Sequence, residues 1–215
     1  VCSAGTNHID LEYAKQLGIR IQNAPGINCN AVAELTISKL LDVSRFTMEA
    51  NREVQEDHIW NKYKYTGHEL KGHTLGVIGL GAIGKRVARR CGAGFGMKVL
   101  GHDIVWDDAW ASENHVERAG LERIFREADF ISLHTSLDDS TRHLVDAPRL
   151  ALMKPTAILI NTARGELVIE AERSAPDAGY IRRMTLGGKP LTSYRISHDE
   201  LLGGGHLKFE LDNQH

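Results

Sequence analysis

The sequence predicts an α/β chain built on a doubly wound parallel sheet with helices on both faces. Three observations predict it. Strand and helix patterns alternate along the chain. The strand segments "TLGVIGLG" and "TAILINT" are apolar nearly throughout instead of at every second residue, and a run of glycines separates one strand from the helix after it. A strand that is apolar on both sides has to be covered on both sides, and parallel sheets achieve this because each crossover places a helix on a face.

Each element follows from its own residues. "LEYAKQLG" (11–18) reads as a short helix closed by Gly18, and "IRIQNAPG" (19–26) as a strand ending in a Pro-Gly turn. From Ala31 to about Ala50 the spacing predicts one helix, with Ala33, Ile37, Leu40, Leu41 and Met48 on one side and Val32 and Leu35 toward another. A helix apolar on more than one side is buried. "TLGVIGLG" (74–81) is a strand running into glycines. "KRVARRC" (85–91) is a helix burying Ile83, Val87, Ala88 and Cys91, and "MKVLGHD" (97–103) is the next strand. The unit then recurs as helix 120–128, strand 129–135, helix 147–153 and strand 156–162. The chain has no internal sequence repeat and no low-complexity segment.

Composition bounds what such a chain does. The 215 residues, 42% of them hydrophobic, suffice for one good core and part of a second unit. The 26 basic and 28 acidic residues give a formal net charge of −2 and are interspersed, so no basic face for nucleic acid stands out. Cys2, Cys29 and Cys91 are odd in number and far apart, which fits free thiols in a reducing cytosol and neither a disulfide framework nor a zinc site. No apolar run approaches the ~18 residues of a membrane span, and the start lacks a secretory pattern. The expected setting is cytoplasmic, with no membrane or nucleic-acid partner and no metal.

The first chemical motif is Gly79-Leu80-Gly81-Ala82-Ile83-Gly84. A strand leads in, a helix leads out, and Asp103 closes the next strand nineteen residues after Gly84, the layout of a dinucleotide-binding unit. Gly79 permits a tight turn, Gly81 lets the backbone approach a pyrophosphate, and Gly84 lets the helix sit close to the sheet. The anion rests on unpaired helix N–H groups. Asp103 would accept hydrogen bonds from the adenosine ribose and repel a 2′-phosphate, a like-charge contact costing several kcal/mol at ~4 Å and an effective dielectric of about 20. NAD is therefore expected over NADP. The second motif, Asn161-Thr162-Ala163-Arg164-Gly165, sits at the carboxyl end of a later strand, where open parallel sheets bind ligands. An arginine there can hold a carboxylate through two parallel hydrogen bonds.

With these motifs in place, the chain resembles the D-isomer-specific 2-hydroxyacid dehydrogenases, and among them the D-3-phosphoglycerate dehydrogenase branch. The stretches that carry the resemblance are "SAGTNHIDLEYAKQLGIRIQNAPGIN", "AVAEL", "TGHELKGHTLGVIGLGAIGKRVA", "FGMKVLGHD", "DFISLHTSL" and "LALMKPTAILINTARGELV", covering residues 1 to about 170. The resemblance implies a Rossmann-type NAD-binding domain over residues 29–170, preceded by a remnant of a flavodoxin-like substrate domain over 1–28 and followed by a divergent tail over 171–215. It further implies a homodimer formed with help from the helix beginning at Ala31. Backbone at Ala4, Gly5 and Thr6 would contact the substrate acid, Ala82 and Ile83 the pyrophosphate, and Thr135, Thr162, Ala163 and Arg164 the rest of the cofactor. Arg164 would orient a small 2-keto acid while hydride passes between it and the nicotinamide.

The family's remaining groups are a Glu in an A-x-D-V-F-x-x-E-P strand and a His in a P-H-x-G turn, and neither pattern follows Glu170. His198 and His206 lack the flanking residues and read as surface histidines. Loss of a general acid–base costs roughly 10²–10⁴ in rate, so two functions are expected in parallel: an NAD-dependent oxidoreductase impaired in this chain, or a non-catalytic NAD-binding remnant that dimerises. A tail packed as a hairpin about "GGKP" would favour the second. Two smaller departures are Ser136, where many members carry Pro, and "RRCGAGFGM", one residue longer than the usual helix-to-strand connection. The abrupt end of the resemblance gives one more expectation: residues from about 171 onward are translated from a shifted reading frame of a dehydrogenase gene.

Overall fold

Apolar strands and their crossover helices assemble into a five-stranded parallel sheet. The computed structural model describes residues 6, 9–164, 167, 172–173, 180–186, 189–190 and 207–212. The sheet strands are β1 (Thr74–Ile78), β2 (Lys98–His102), β3 (Val116–Arg118), β4 (Phe130–Leu133) and β5 (Ile158–Asn161), in the order β3-β2-β1-β4-β5 with every pair parallel. The chain winds outward from β1 to β3, then crosses to β4 on the other side of β1. That reversal opens a crevice at the carboxyl ends of β1 and β4.

The pleat distributes the apolar strand residues to two cores. Leu75, Val77, Val99 and Phe130 pack with Ala33, Leu40, Val87, Ala88 and Cys91 on one face; Ile78, Leu100, Ile131 and Leu133 pack with Ile124, Phe125 and Ala128 on the other. The first face is covered by α2 (Cys29–Arg45) and α4 (Ala82–Arg89), the second by α6 (Leu121–Glu127) and α7 (Ala147–Leu152). Gly76 is the point of closest approach on the second face, since a Cβ there would lie 2.4 Å from the Ile124 side chain. The remaining helices are α1 (Leu11–Gln16), α3 (Thr47–Arg52) and α5 (Asp108–Glu113).

The amino ends of three strands meet at Asp129. Its N–H donates to the Thr74 carbonyl and its own carbonyl accepts from the Ile158 N–H, both at 2.9 Å. Its carboxylate accepts from the Thr74 N–H at 2.8 Å and from the Lys154 ammonium at 2.7 Å. Burial works to raise this carboxyl, but the Lys154 ammonium and the Thr74 amide outweigh it and hold it below the usual range.

Three expectations are corrected. Residues 19–26 belong to neither sheet: the Ile19 N–H donates back to the Ala14 carbonyl at 2.9 Å, closing α1, and the segment ends in a turn at Pro25 and Gly26. The helix expected over 31–50 begins at Cys29 and breaks at Phe46, whose left-handed backbone (φ 56°) ends α2 and starts α3. Leu35 of the second apolar side and Met48 of the first remain more than half exposed among the described residues. The helix expected over 85–91 starts three residues earlier, directly on the glycine turn, and continues beyond Arg89 as a π-helical turn over Arg90–Gly94. That turn absorbs the extra residue of "RRCGAGFGM", because a π turn holds one residue more than an α turn.

Beyond the parallel sheet, β6 (Glu172–Arg173), β7 (Tyr180–Leu186), β8 (Lys189–Pro190) and β9 (Leu207–Asp212) form a second sheet in the order β6-β9-β7-β8. Leu186 pairs with Lys189 in an antiparallel hairpin about the "GGKP" segment. Cys29 and Cys91 are buried free thiols, as the sequence leads one to expect; burial pushes the Cys91 thiol up to about 12.

Candidate functional site

The site is built from the residues that leave the carboxyl ends of β1, β2, β4 and β5. After β1, Gly79 adopts φ 93°, and its N–H donates to the His102 carbonyl at 2.8 Å. A Cβ at Gly79 would lie 2.6 Å from the His134 carbonyl carbon and 2.8 Å from the Thr135 nitrogen. Only glycine lets the two strand ends come this close at the crossover point. A Cβ at Gly84 would lie 1.9 Å from the Gly79 carbonyl oxygen, so the third glycine is required for α4 to start against the turn. Gly81 differs from both: no atom lies within 4 Å of its would-be Cβ. It borders open space, as a residue facing a ligand would. Gly81 caps α4 without any side-chain hydrogen bond, which leaves the first amides of the helix, those of Ala82, Ile83 and Gly84, directed at that space.

Asp103 follows β2 and is half-buried. One carboxylate oxygen accepts from the Leu80 N–H at 2.6 Å, the other from the Val105 N–H at 2.9 Å. The side chain therefore bridges the glycine turn and the loop after β2, beside the exposed Ile104 and Val105.

Next to the turn, Thr135 has a buried hydroxyl with no hydrogen-bond partner. A buried, unsatisfied hydroxyl costs free energy until something supplies a partner, and its position beside Gly79 fits a bound dinucleotide. His134 precedes it. Its Nε2 lies 2.8 Å from the Ser132 hydroxyl, and burial pushes its imidazole down to about 4, so it is neutral.

The arginine turn is organised by Asn161 at the end of β5. Its side-chain oxygen accepts from the Ala163 N–H at 3.0 Å, and its side-chain amide donates to the Arg164 carbonyl at 2.7 Å. These two bonds fix the backbone from which Arg164 projects. The Arg164 side chain is exposed, and its guanidinium donates to the Ala163 carbonyl at 3.0 Å, within its own turn. Thr162 is tied instead to the buried Thr36 of α2, hydroxyl to hydroxyl, at 2.7 Å.

Of the residues singled out from sequence, Gly79, Gly81, Ala82, Ile83, Gly84, Asp103 and Thr135 gather at the carboxyl ends of β1, β2 and β4, and Thr162, Ala163 and Arg164 follow β5, the neighbour of β4. Thr6 is half-buried and its carbonyl accepts from the Ile9 N–H at 2.9 Å; Ala4, Gly5, His198 and His206 lie outside the described residues. Ser136 is exposed and contributes only its carbonyl, which accepts from the Thr141 hydroxyl at 2.7 Å. The sequence reading gave no role to Thr36, Asn161 or His134. Thr36 had one signal available, a polar residue in register with Ala33 and Leu40 on the buried side of its helix. Among the described residues no group of three His, Cys, Asp or Glu side chains could hold a metal ion, and no helix is long and apolar enough to cross a membrane.

Comparison with known proteins agrees with this geometry. The family profile described as "D-isomer specific 2-hydroxyacid dehydrogenase, NAD binding domain" matches residues 37–173. A second profile, the glycosyl hydrolase family 92 catalytic domain, matches residues 140–213; within that range, α7 and β5 are parts of the parallel-sheet unit. A glyoxylate reductase of Thermofilum pendens is 41% identical over 185 residues, covering 83% of this chain and 54% of its own. A D-3-phosphoglycerate dehydrogenase of Methanocaldococcus jannaschii is 39% identical over 208 residues, covering 94% of this chain and 39% of its own, an alignment that continues past Glu170. The crystal structure of D-lactate dehydrogenase from Aquifex aeolicus complexed with NAD and lactic acid superposes with a TM-score of 0.69 at 37% identity, covering 77% of this chain and 49% of that one. The chain spans about half the length of most of the relatives it matches. The family profile covers well over half of the chain, and the glycine turn, Asp103 and the unsatisfied Thr135 hydroxyl fit the cofactor in its name; the chain belongs to the D-isomer-specific 2-hydroxyacid dehydrogenase family and carries that family's NAD-binding domain.

Proposed function

We propose that this chain is the NAD-binding part of an oxidoreductase that interconverts a small 2-hydroxy acid and its 2-keto acid, with NAD accepting or supplying the hydride. The observation that carries this reading is the glycine turn packed against the end of β4, with Gly81 open to the crevice and the α4 amides uncapped beneath it. In this reading residues 29–170 form the cofactor domain, 1–28 belong to a substrate domain, and 171–215 are a divergent tail. Gly79, Gly81, Ala82, Ile83 and Gly84 hold the pyrophosphate. Asp103 holds the adenosine ribose, and Thr135, Thr162 and Ala163 hold the nicotinamide half. Arg164, held in its turn by Asn161, binds the carboxylate of the acid, whose other contacts are the backbone of Ala4, Gly5 and Thr6. The names of the relatives put glyoxylate, hydroxypyruvate and 3-phosphoglycerate among the acids to test. A cytoplasmic homodimer completes the proposal, and the exposed Leu35 and Met48 on the α2–α3 segment are consistent with a partner there.

The second reading, a dimerising NAD-binding protein without turnover, is favoured by two observations: neither D-V-F-x-x-E-P nor P-H-x-G follows Arg164, and Leu186 pairs with Lys189 in the tail hairpin. NAD binding is common to both. Titration of nicotinamide fluorescence tests it, with NADH expected to bind at least tenfold tighter than NADPH, because the 2′-phosphate would face Asp103. Asp103→Asn keeps an acceptor for the Leu80 N–H and removes the charge, so it should narrow that ratio. Equal affinities in the wild type, or an unchanged ratio in Asp103→Asn, would remove Asp103 from the site.

A further inference from the structure

Thr36 and Thr162 are 126 positions apart in the chain, and their hydroxyl oxygens are 2.7 Å apart in the fold. Thr36 is fully buried in α2, whereas Thr162 is half-buried just after β5. Each hydroxyl has a single proton to give. Thr36 donates its proton to the Val32 carbonyl, one helical turn earlier, at 2.8 Å. The proton in the Thr36–Thr162 bond must then come from Thr162. What remains on the Thr162 oxygen is lone pairs, and among the described residues no other hydrogen bond engages them. An oxygen committed in this way accepts and cannot donate.

We infer that Thr36 makes Thr162 a dedicated acceptor for a donor group on the nicotinamide half of the dinucleotide, a ribose hydroxyl or the carboxamide N–H, and never for a phosphate. The inference rests on the reading of Thr162 as a cofactor residue. A phosphate carries acceptors only at neutral pH, so it would meet the Thr162 lone pairs with its own. The donors that a pyrophosphate needs are the amides at the start of α4. The amides at the start of α4 thus suit the pyrophosphate, and the Thr162 oxygen after β5 suits a donor on the nicotinamide half. Thr36 touches no ligand. It is a positioning residue that acts by setting the direction of one O–H bond, from the buried face of α2 that it shares with Ala33 and Leu40.

The test measures Kd for NADH and for ADP, by calorimetric titration, on the full chain and on Thr36→Val, Thr36→Ser and Thr162→Val. ADP carries the adenosine and pyrophosphate but no nicotinamide half. Thr36→Val and Thr162→Val are expected to weaken NADH about three- to tenfold, the net worth of one hydrogen bond, with ADP unchanged within a factor of about two. Thr36→Ser keeps the hydroxyl and should restore NADH. Equal weakening of NADH and ADP in Thr36→Val would mean a loosened sheet edge and would overturn the inference, as would unchanged NADH binding. Thr162→Val removes the acceptor without altering the buried helix, so the same selective loss is required of it even if Thr36→Val fails to fold. A wild-type chain that binds neither ligand would remove the NAD reading itself, and the inference with it.

Discussion

Burial keeps the His134 imidazole uncharged at the rim of the crevice, where its backbone abuts Gly79 and its ring meets the Ser132 hydroxyl. Its folded value of about 4 lies below the ordinary 6.5, so the unfolded chain takes up a proton first as the pH falls. The His134 contribution is fully present above pH 6.5, declines below it, and is exhausted near pH 4, where the folded imidazole itself charges. Between pH 7 and pH 5 this one residue should cost about 2 kcal/mol of stability. Thermal unfolding midpoints of the wild type and of His134→Gln across that range check it: the wild type should lose more on acidification, and parallel curves would show that His134 is not the group responsible. At the scale of single residues, the sequence disclosed roles that depend on local backbone geometry. The turn role of Gly79 and the packing role of Gly84 could be assigned because a turn between a strand and a helix needs glycine at particular offsets. Thr36, Asn161 and His134 could not, because their roles depend on which partner the fold brings to them. Thr36 in particular meets Thr162 from 126 positions away.

Among the elements, the π turn at Arg90–Gly94 shows how a length difference is accommodated. The Gly96 N–H returns to the Gly92 carbonyl at 3.1 Å and the Met97 N–H to the Cys91 carbonyl at 3.2 Å, so β2 enters the sheet in register despite the added residue. Removing one residue there should convert the π turn to an α turn. Deletion of the exposed Ala93 is therefore expected to leave a folded chain with a melting midpoint within about 3 °C of the wild type, corresponding to roughly 1 kcal/mol. Deletion of the buried Ala88 in α4 would rotate Val87 and Cys91 off the core and should abolish cooperative unfolding. If both deletions melt alike, the π turn is not the site of accommodation. The elements that the sequence disclosed, β1, β2, β4, β5 and the helices α4, α6 and α7, carry apolar residues at core spacing over enough of their length to be read locally. Those it concealed are short or lack a local signal. α5 is six residues begun by the Asp107 cap, β3 is three residues with Val116 alone buried, and the break at Phe46 occurs without glycine or proline. The strand expected at 19–26 had an apolar pattern but joins neither sheet.

For the whole molecule the question is whether cofactor binding and turnover occur together. In the proposed reading the glycine turn takes NAD and Arg164 takes the carboxylate of the acid, and neither D-V-F-x-x-E-P nor P-H-x-G follows Glu170. Turnover with glyoxylate, D-lactate, glycerate or 3-phosphoglycerate should accordingly fall at least 10²-fold below an ordinary enzyme rate of about 10 s⁻¹, in a sample that still binds NADH. Coupled measurement of NADH binding and NADH oxidation or formation on one preparation checks it. An ordinary rate would assign the missing role to another group, and replacing His198 and His206 singly would identify whether either is that group.

The clamp at Asp129 bears on how such a molecule can change. β1, β4 and β5 are held together at their amino ends by a single residue's backbone and carboxylate, far from the glycine turn and the arginine turn at the opposite ends. The bonds that keep these three strands in register at that edge do not pass through the residues that face a ligand. Apart from the glycines that the turn itself requires, side chains around the crevice can be exchanged while the sheet beneath them stays in register, and a lineage can alter what it recognises without first relearning how to fold.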